Sequence, residues 1–157
     1  MGNDLSLLQF QLTRGLPPAS RAWQRLVEAR LGHHGISSGC IGPLLLIGRS
    51  GGGLRQIHLA QQLGIESPSL VRLLDKLAVL GLVRREADAQ DRRANQLWLT
   101  ESGQLLHEQL EQDLTELRQD VFGPMSQAEL EVVQKLYRLL DEALLDGRHS
   151  TRAASGS

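Results

Sequence analysis

The segment from Leu54 to Thr100 restricts the fold more than any other part of the chain. Its first helical run covers Gln56–Leu63 and stops at Gly64, a residue suited to the left-handed conformation that ends many helices. A second helix is expected after Ser67 as the N-cap, followed by a proline in the first turn, where a missing N–H costs nothing. This order predicts a helix-turn-helix.

The second helix has two different faces, and Gly81 is expected to close it. Its apolar residues share one helical face: Leu70, Leu73, Leu74, Leu77 and Leu80. The opposite side is left with polar and charged residues: Ser69, Arg72, Asp75 and Lys76. A short helix with an apolar underside and a basic residue in its second turn is typical of a recognition helix that enters the major groove of DNA.

A hairpin with a basic tip follows this helix. Strand-like runs at residues 82–85 and 95–99 flank a polar segment that contains Asp91, Arg92 and Arg93. An arginine at such a tip can enter the minor groove, and Asp91 is placed to orient one of the two guanidinium groups. An ordinary solvated loop is the alternative interpretation. The adjacent helix-turn-helix favours a DNA-binding wing.

Four short motifs carry a resemblance to the MarR family of bacterial regulators, and the first of them is similar to its SlyA branch. The motifs are Ile65-Glu66-Ser67-Pro68-Ser69-Leu70-Val71-Arg72, Gly81-Leu82-Val83, Asp91-Arg92-Arg93-Ala94 and Leu99-Thr100. The similarity is densest over residues 54–103 and weaker over residues 19–146. It implies a homodimeric winged-helix protein that binds palindromic promoter DNA. It also implies that small phenolic ligands or thiol oxidation relieve DNA binding.

Composition and charge agree with a single globular domain that has flanking helices. The chain has 157 residues, of which 41% are hydrophobic and 22% are charged. Residues 1–100 carry 12 Lys or Arg against 7 Asp or Glu, whereas residues 101–146 carry 3 against 11. We therefore expect the first part to approach phosphates and the second to be kept away from them.

The sequence predicts a cytoplasmic protein without membrane association. No apolar run approaches the roughly 20 residues that span a bilayer. The N-terminus lacks the basic start and small-residue cleavage site of a signal peptide. The single cysteine excludes an intramolecular disulfide, as is usual in a reducing compartment.

The flanking segments are predicted to form dimerisation helices. At the N-terminal side, Gly15 and Pro17-Pro18 are expected to separate a short helix from a longer one that ends at Gly32. At the C-terminal side, Thr100 caps one helix, and Ser126 with Glu129 forms a capping box for the last. The resulting plan is dimerisation helices at 1–35, a winged helix-turn-helix at 36–100, dimerisation helices at 101–146 and a disordered tail at 147–157.

Catalytic and metal sites are not expected. His33 and His34 are interpreted as loop residues, and no histidine has metal-ligand spacing to a cysteine or a second histidine. The Gly51–Gly53 run lacks the lysine and hydroxyl pair of a P-loop, so it is interpreted as a flexible turn. Nothing assembles a nucleophile, a base and an orienting group, so no enzyme activity, metal or cofactor is predicted.

The role of Cys40 has two interpretations, and the orientation of Trp98 has one. Cys40 lies near the start of a helix expected over Ser38–Arg49, where it is either a small buried hydrophobe or an oxidation sensor. Pro43 should kink or delay this helix, which helps to form the usual ligand cavity of the family. Trp98 alternates with the apolar residues beside it in the second strand, so it is expected to face outward.

The function predicted from the sequence is a homodimeric, sequence-specific transcriptional regulator that binds double-stranded DNA. Its recognition helix would contact DNA through Ser67, Pro68, Ser69 and Arg72, and its wing through Asp91, Arg92 and Arg93. One alternative is a winged-helix module that binds another protein and has lost DNA binding. Another is a regulator that senses oxidation through Cys40.

Overall fold

The computed structural model describes the backbone of residues 2–88 and 94–154 and the side chains of residues 4–88 and 94–147. Helices α1 to α6 and strands β1 to β3 follow one another in this order: α1 Gly2–Leu31, a 3₁₀ turn Gly32–His34, α2 Ser38–Arg49, β1 Leu54–Arg55, α3 Gln56–Leu63, α4 Ser67–Val79, β2 Val83–Ala87, β3 Asn95–Leu99, α5 Glu101–Phe122 and α6 Gln127–Ala154. They form two compact units, residues 1–117 and 118–157. No helix in these described ranges is both long and apolar enough to cross a membrane.

The predicted fold class is confirmed, with one addition to the sheet. The described chain is mainly helical, and its hairpin of β2 and β3 is antiparallel with Val83 opposite Leu99. A third strand, β1, pairs with β3 and places Leu54 opposite Leu97, so the strand order is β1-β3-β2. With only two residues, β1 is too short to show the alternating pattern by which a strand is recognised.

The core of the first unit lies where α2, α3, α4, β3 and α5 meet. Leucine dominates it, with smaller contributions from other apolar residues. Its fully buried side chains include Leu31, Cys40, Leu44, Ile47, Leu59, Leu70, Leu74, Leu77, Leu97 and Leu110. Each buried leucine contributes about 1.5–3 kcal/mol relative to exposure, so this cluster fixes how the helix-turn-helix sits on its neighbours.

Local sequence signals predicted most helix ends correctly. Gly64 and Gly81 adopt left-handed conformations, with φ of 64° and 70°, at the ends of α3 and α4. Thr100 caps α5, since its Oγ1 accepts a hydrogen bond of 3.0 Å from the Gly103 N–H. The N-cap predicted at Ser67 is wrong by one position: Glu66 is the N-cap, with extended backbone, and Ser67 is the first helical residue.

The predicted break in the N-terminal segment is also wrong. Helix α1 continues through Gly15, Pro17 and Pro18 to Leu31. Each proline removes one backbone donor, and the carbonyl groups that lose their partners belong to Thr13 and Arg14. These residues are exposed, so water can hydrogen-bond to the freed carbonyl oxygens. Helix α2 has the predicted bounds and likewise contains a proline.

In the second unit, the predicted capping box is confirmed and the predicted tail is corrected. The Ser126 N–H donates to Glu129 Oε2 at 2.8 Å, and the Glu129 N–H donates to Ser126 Oγ at 3.4 Å. The backbone and hydroxyl hydrogen bonds from Ser126 lower the pKa of Glu129. Helix α6 runs to Ala154, past the tail boundary expected at Gly147. Gly147 keeps a negative φ and does not end the helix.

Candidate nucleic-acid interface

Helix α4 presents its predicted polar face to solvent. Leu70, Leu74 and Leu77 are fully buried beneath it, which fixes the rotation of the helix about its axis. Leu80 departs from the predicted stripe, because it is 53% exposed. The predicted contact residues are all exposed and lie on the first two turns: Ser67, Pro68, Ser69 and Arg72.

Two cations on α4 are available to a ligand. The side chains of Arg72 and Lys76 are exposed, lie four residues apart on one face, and make no hydrogen bond or ion pair with any residue in the described part of the chain. The nearby carboxylate of Asp75 is bound by Arg85, whose Nη2 lies 2.8 Å from Asp75 Oδ1. The exposed face of α4 is therefore positive, as phosphate binding requires.

An ion pair with a buried carboxylate anchors the base of the wing. The Asp88 carboxylate is only 4% exposed, and its Oδ2 accepts hydrogen bonds from Arg55 Nε at 2.8 Å and Nη2 at 2.6 Å. The Asp88 N–H donates to the Ala94 carbonyl at 3.0 Å. These bonds hold both sides of the hairpin together where the tip begins. Sequence reasoning missed this anchor because it depends on β1 lying beside the hairpin.

The arginines of β2 are already engaged by neighbouring groups. Arg84 pairs with Glu86, and its guanidinium carbon lies 5.5 Å from the centre of the Trp98 ring. Arg85 pairs with Asp75 of α4, as described above. The predicted tip residues Asp91, Arg92 and Arg93 lie outside the described residues, so their roles stay predictions.

Trp98 does not face outward as predicted. Its ring covers the glycine turn before β1, so closely that a Cβ atom on Gly52 would lie 2.1 Å from Trp98 Cε3. Gly51, Gly52 and Gly53 all have positive φ, a conformation that glycine adopts without strain. The glycine run is therefore a packing surface for the sheet, which corrects its interpretation as a flexible turn.

Cys40 is buried, with 1% exposure, in a setting that favours its structural interpretation. Its Sγ accepts a hydrogen bond from Ser37 Oγ at 3.2 Å and lies 3.8 Å from the Leu73 carbonyl oxygen. The residue borders a surface cavity of about 430 Å³ that is also lined by Ser37, Asp75, Lys76, Val79 and Leu80. This cavity lies against the C-terminal half of α4.

An ion pair connects the end of α2 to α5. Arg49 Nη2 lies 3.1 Å from Glu111 Oε2, and Arg49 Nε binds the other carboxylate oxygen. The hydrogen bond that Arg49 donates to Glu111 raises the pKa of Arg49, so this guanidinium stays charged. A bidentate pair of this kind fixes geometry as well as charge.

Comparisons with known proteins agree with this geometry. The sequence model of the MarR family matches residues 34–94. Transcriptional regulator PA3341, whose crystal structure is known, is 35% identical in sequence. The match covers 86% of this chain and 98% of the PA3341 chain, with a TM-score of 0.80. A MarR transcriptional regulator from Methanosarcina mazei Go1 is 25% identical over 85% of this chain and 96% of its own, with a TM-score of 0.73.

A third structure shares the fold at lower identity. It is a MarR variant from E. coli complexed with operator DNA, 23% identical over 83% of this chain and 93% of its own, with a TM-score of 0.73. We conclude from the family match, the relative of 35% identity and the observed winged helix-turn-helix that the chain belongs to the MarR family of DNA-binding transcriptional regulators.

Proposed function

We propose that this protein is a sequence-specific regulator of the SlyA-like branch that binds palindromic promoter sites as a homodimer. The observation that carries the proposal is the exposed face of α4, where Arg72 and Lys76 are unpaired within the described chain above a fully buried leucine face. The E. coli relative that shares this fold was solved with operator DNA, which supports the same use here.

Each residue at the start of α4 has a distinct proposed role. Ser67, Pro68 and Ser69 bring the helix N-terminus to the DNA, where free N–H groups and hydroxyl groups suit a phosphate oxygen. Arg72 is one turn further along and contacts a base edge in the major groove. Lys76 contacts a phosphate as a point charge.

Replacing Arg72 tests this assignment. Arg72→Ala should weaken binding to the protein's own upstream region by about 1–3 kcal/mol and relax sequence preference, because a base contact is lost. Arg84→Ala is the matched control, since its guanidinium already binds Glu86 of the same strand. Fluorescence anisotropy with specific and random duplexes measures both. Equal losses on both duplexes would assign Arg72 to phosphate positioning.

A gel shift of the unaltered protein decides between the two classes of function. The proposed regulator retards its own upstream DNA, and at low salt it also retards random DNA. Retardation of neither would contradict DNA binding and favour the alternative, a winged-helix module that binds another protein.

The wing is proposed to add phosphate and minor-groove contacts through Arg92 and Arg93, with Asp91 orienting Arg93. Each lost phosphate contact flattens the slope of log affinity against log salt by about 0.9, so two dimer-related wings give about two units. Arg92→Ala and Arg93→Ala should each show this change, and Asp91→Ala should show part of it. Wild-type affinity and slope in all three variants would exclude the hairpin tip from the interface.

The homodimer is proposed from exposed apolar side chains on α1 and α6. Those on α1 are Leu5, Leu7, Leu8, Phe10 and Leu12, and those on α6 include Leu130, Tyr137, Leu140 and Leu144. Exposed apolar surface of this extent, including the apolar row on α6, is uncommon on a monomer. Light scattering should report about twice the chain mass, and Leu140→Glu should reduce the mass and DNA affinity together. Lys135→Glu, off the apolar row, is the control, and a monomer with full affinity would contradict the dimer.

A small phenolic ligand is proposed to bind in the cavity beside α4. Val79 and Leu80 offer apolar surface there, while Lys76 can pair with a phenolate or carboxylate. Because Lys76 is also a proposed phosphate contact, an occupied cavity competes with DNA. Salicylate should release wild-type protein from DNA in the anisotropy assay, and Leu80→Trp, which fills the cavity, should bind DNA without responding. Release of both proteins alike would place the ligand elsewhere.

Oxidation sensing by Cys40 is the less favoured mode of regulation. A reactive thiolate needs access and a neighbouring positive charge, whereas Cys40 is buried among apolar side chains. We therefore expect iodoacetamide to label Cys40 only after unfolding. Rapid labelling of the native protein, with loss of DNA binding, would restore the oxidation sensor.

A further inference from the structure

Two adjacent histidines after α1 meet one carboxylate of α5. His33 and His34 lie in the 3₁₀ turn, and Asp113 lies in the middle of α5, within the same compact unit. His34 Nε2 is 2.7 Å from Asp113 Oδ2, and His33 Nε2 is 3.5 Å from the same oxygen. One ligand atom from each of the three residues lies within 4.8 Å of the others.

The backbone prepares His33 to be a ligand. Its Nδ1 lies 2.9 Å from the Arg30 carbonyl oxygen in the last turn of α1. A carbonyl oxygen can only accept a hydrogen bond, so Nδ1 carries the proton and the neutral ring keeps its lone pair on Nε2. This arrangement, in which the second ring nitrogen donates to a backbone carbonyl, is characteristic of histidines that bind metals.

The three side chains leave one open side. The side chain of His34 is 10% exposed and that of Asp113 is 24% exposed, whereas that of His33 is 64% exposed. A cation can therefore enter from the His33 side, and water can occupy the remaining coordination positions. The two imidazole rings lie with their centres 4.0 Å apart and tilted by 36°, so both edges reach the same carboxylate.

We propose that His33, His34 and Asp113 form a binding site for a late first-row divalent cation such as Zn²⁺. Two imidazole nitrogens and one carboxylate oxygen are a ligand set that zinc uses when water completes its coordination. Ligand atoms around tetrahedral zinc lie about 3.3 Å apart. The observed separations of 2.7 and 3.5 Å from Asp113 Oδ2 bracket this value, so a small side-chain shift admits the ion.

This site goes beyond the proposed DNA binding and does not depend on it. It also revises the sequence-based expectation of no metal site. That expectation searched for ligand spacing along the chain, whereas Asp113 is 79 residues from His34 and reaches it only through the fold. A bound ion would connect the turn after α1 to α5 by coordination bonds.

Isothermal titration calorimetry of Zn²⁺ into tag-free, chelator-treated full-length protein tests the proposal. We expect saturable binding of one ion per chain in the wild type. His34→Ala and Asp113→Asn should each weaken it by about tenfold or more. His58→Ala, which removes an exposed histidine of α3, should bind as the wild type does.

Two further measurements keep the result independent of folding defects. His33→Ala changes a largely exposed side chain, so it should keep the far-ultraviolet circular dichroism of the wild type while losing zinc affinity. Co²⁺ should produce a visible ligand-field absorption spectrum in the wild type and in His58→Ala but not in His34→Ala. Absence of saturable binding in the wild type, or equal affinity in all folded variants, would overturn the site.

Discussion

The exposed face of α4 and the three-stranded sheet beside it use the same residue types in opposite ways. On α4, Arg72 and Lys76 project into solvent and are unpaired within the described chain. In the sheet, Arg55 is held by buried Asp88, Arg84 by Glu86, and Arg85 by Asp75. Residue type alone therefore does not distinguish a DNA contact from a structural one.

The difference has a physical cause. An unpaired cation keeps its hydration and its freedom of rotation until phosphate replaces the water around it. A paired arginine must first leave its carboxylate, which costs most where the carboxylate is buried, as Asp88 is. We therefore expect substitutions in the sheet to lower stability first, and substitutions on the face of α4 to lower DNA affinity without destabilising the fold.

The largest effect is expected where the sheet packs on the glycine turn. Gly52→Ala should destabilise the protein by about 2–5 kcal/mol, since it combines an unfavourable φ with a collision against Trp98. Gly51→Ala is a matched control: φ is also positive, but nothing lies within 4 Å of a new Cβ, so about 1–2 kcal/mol is expected. Urea unfolding measures both. Equal costs would show that Trp98 does not rest on Gly52 in solution.

The buried anchor of the wing should give the next largest effect. Asp88→Asn should cost about 1–3 kcal/mol, because the charge-assisted hydrogen bonds from partly exposed Arg55 are weakened. Glu86→Gln removes the carboxylate of the exposed Arg84–Glu86 pair in β2 and should cost less than about 1 kcal/mol. Thermal unfolding compares them. A smaller cost for Asp88→Asn than for Glu86→Gln would contradict the distinction between anchor and surface pair.

Thr100 links the end of α4 to the start of α5, and its substitution should have a smaller effect on stability. Its Oγ1 donates to the Gly81 carbonyl at 2.6 Å after α4 and accepts from the Gly103 N–H at the start of α5. Thr100→Ala should destabilise the protein by about 1–2 kcal/mol through loss of this cap. Thr115→Ala, in the interior of the same helix, should be nearly neutral. If the two substitutions cost the same in urea unfolding, the cap is not a stabilising feature.

The smallest effect on stability is expected on α4, where DNA affinity should respond instead. Lys76→Ala should leave the unfolding midpoint unchanged and flatten the salt dependence of DNA binding by about one unit per chain. Arg84→Ala, on the neighbouring strand, should leave the salt slope unchanged, since its charge is held by Glu86 of the same strand. Anisotropy titrations at several salt concentrations compare the variants. A flattened slope for Arg84→Ala alone would reverse the assignment of free and paired cations.

Short-range signals predicted the helix-turn-helix and most of its boundaries. Gly64 and Gly81 end their helices because the backbone there is left-handed, and Thr100 and Ser126 cap theirs because a hydroxyl oxygen reaches an N–H three residues away. These interactions lie within one or two turns of helix. A local sequence pattern therefore contains all the groups that form them.

The fold alone decided features that depend on residues far apart in the chain. Strand β1 exists because Leu54 meets Leu97, and Asp88 became an anchor because β1 brings Arg55 beside it. The prediction that Trp98 faces outward was wrong, because the alternation of apolar and polar residues along a strand cannot show that another segment covers that face of the sheet. The sequence by itself determined the ends of α2 to α5 to within about one residue, because capping and left-handed glycine are local interactions. Which charges stay free was decided by tertiary packing, because pairing depends on distances that only the folded chain sets.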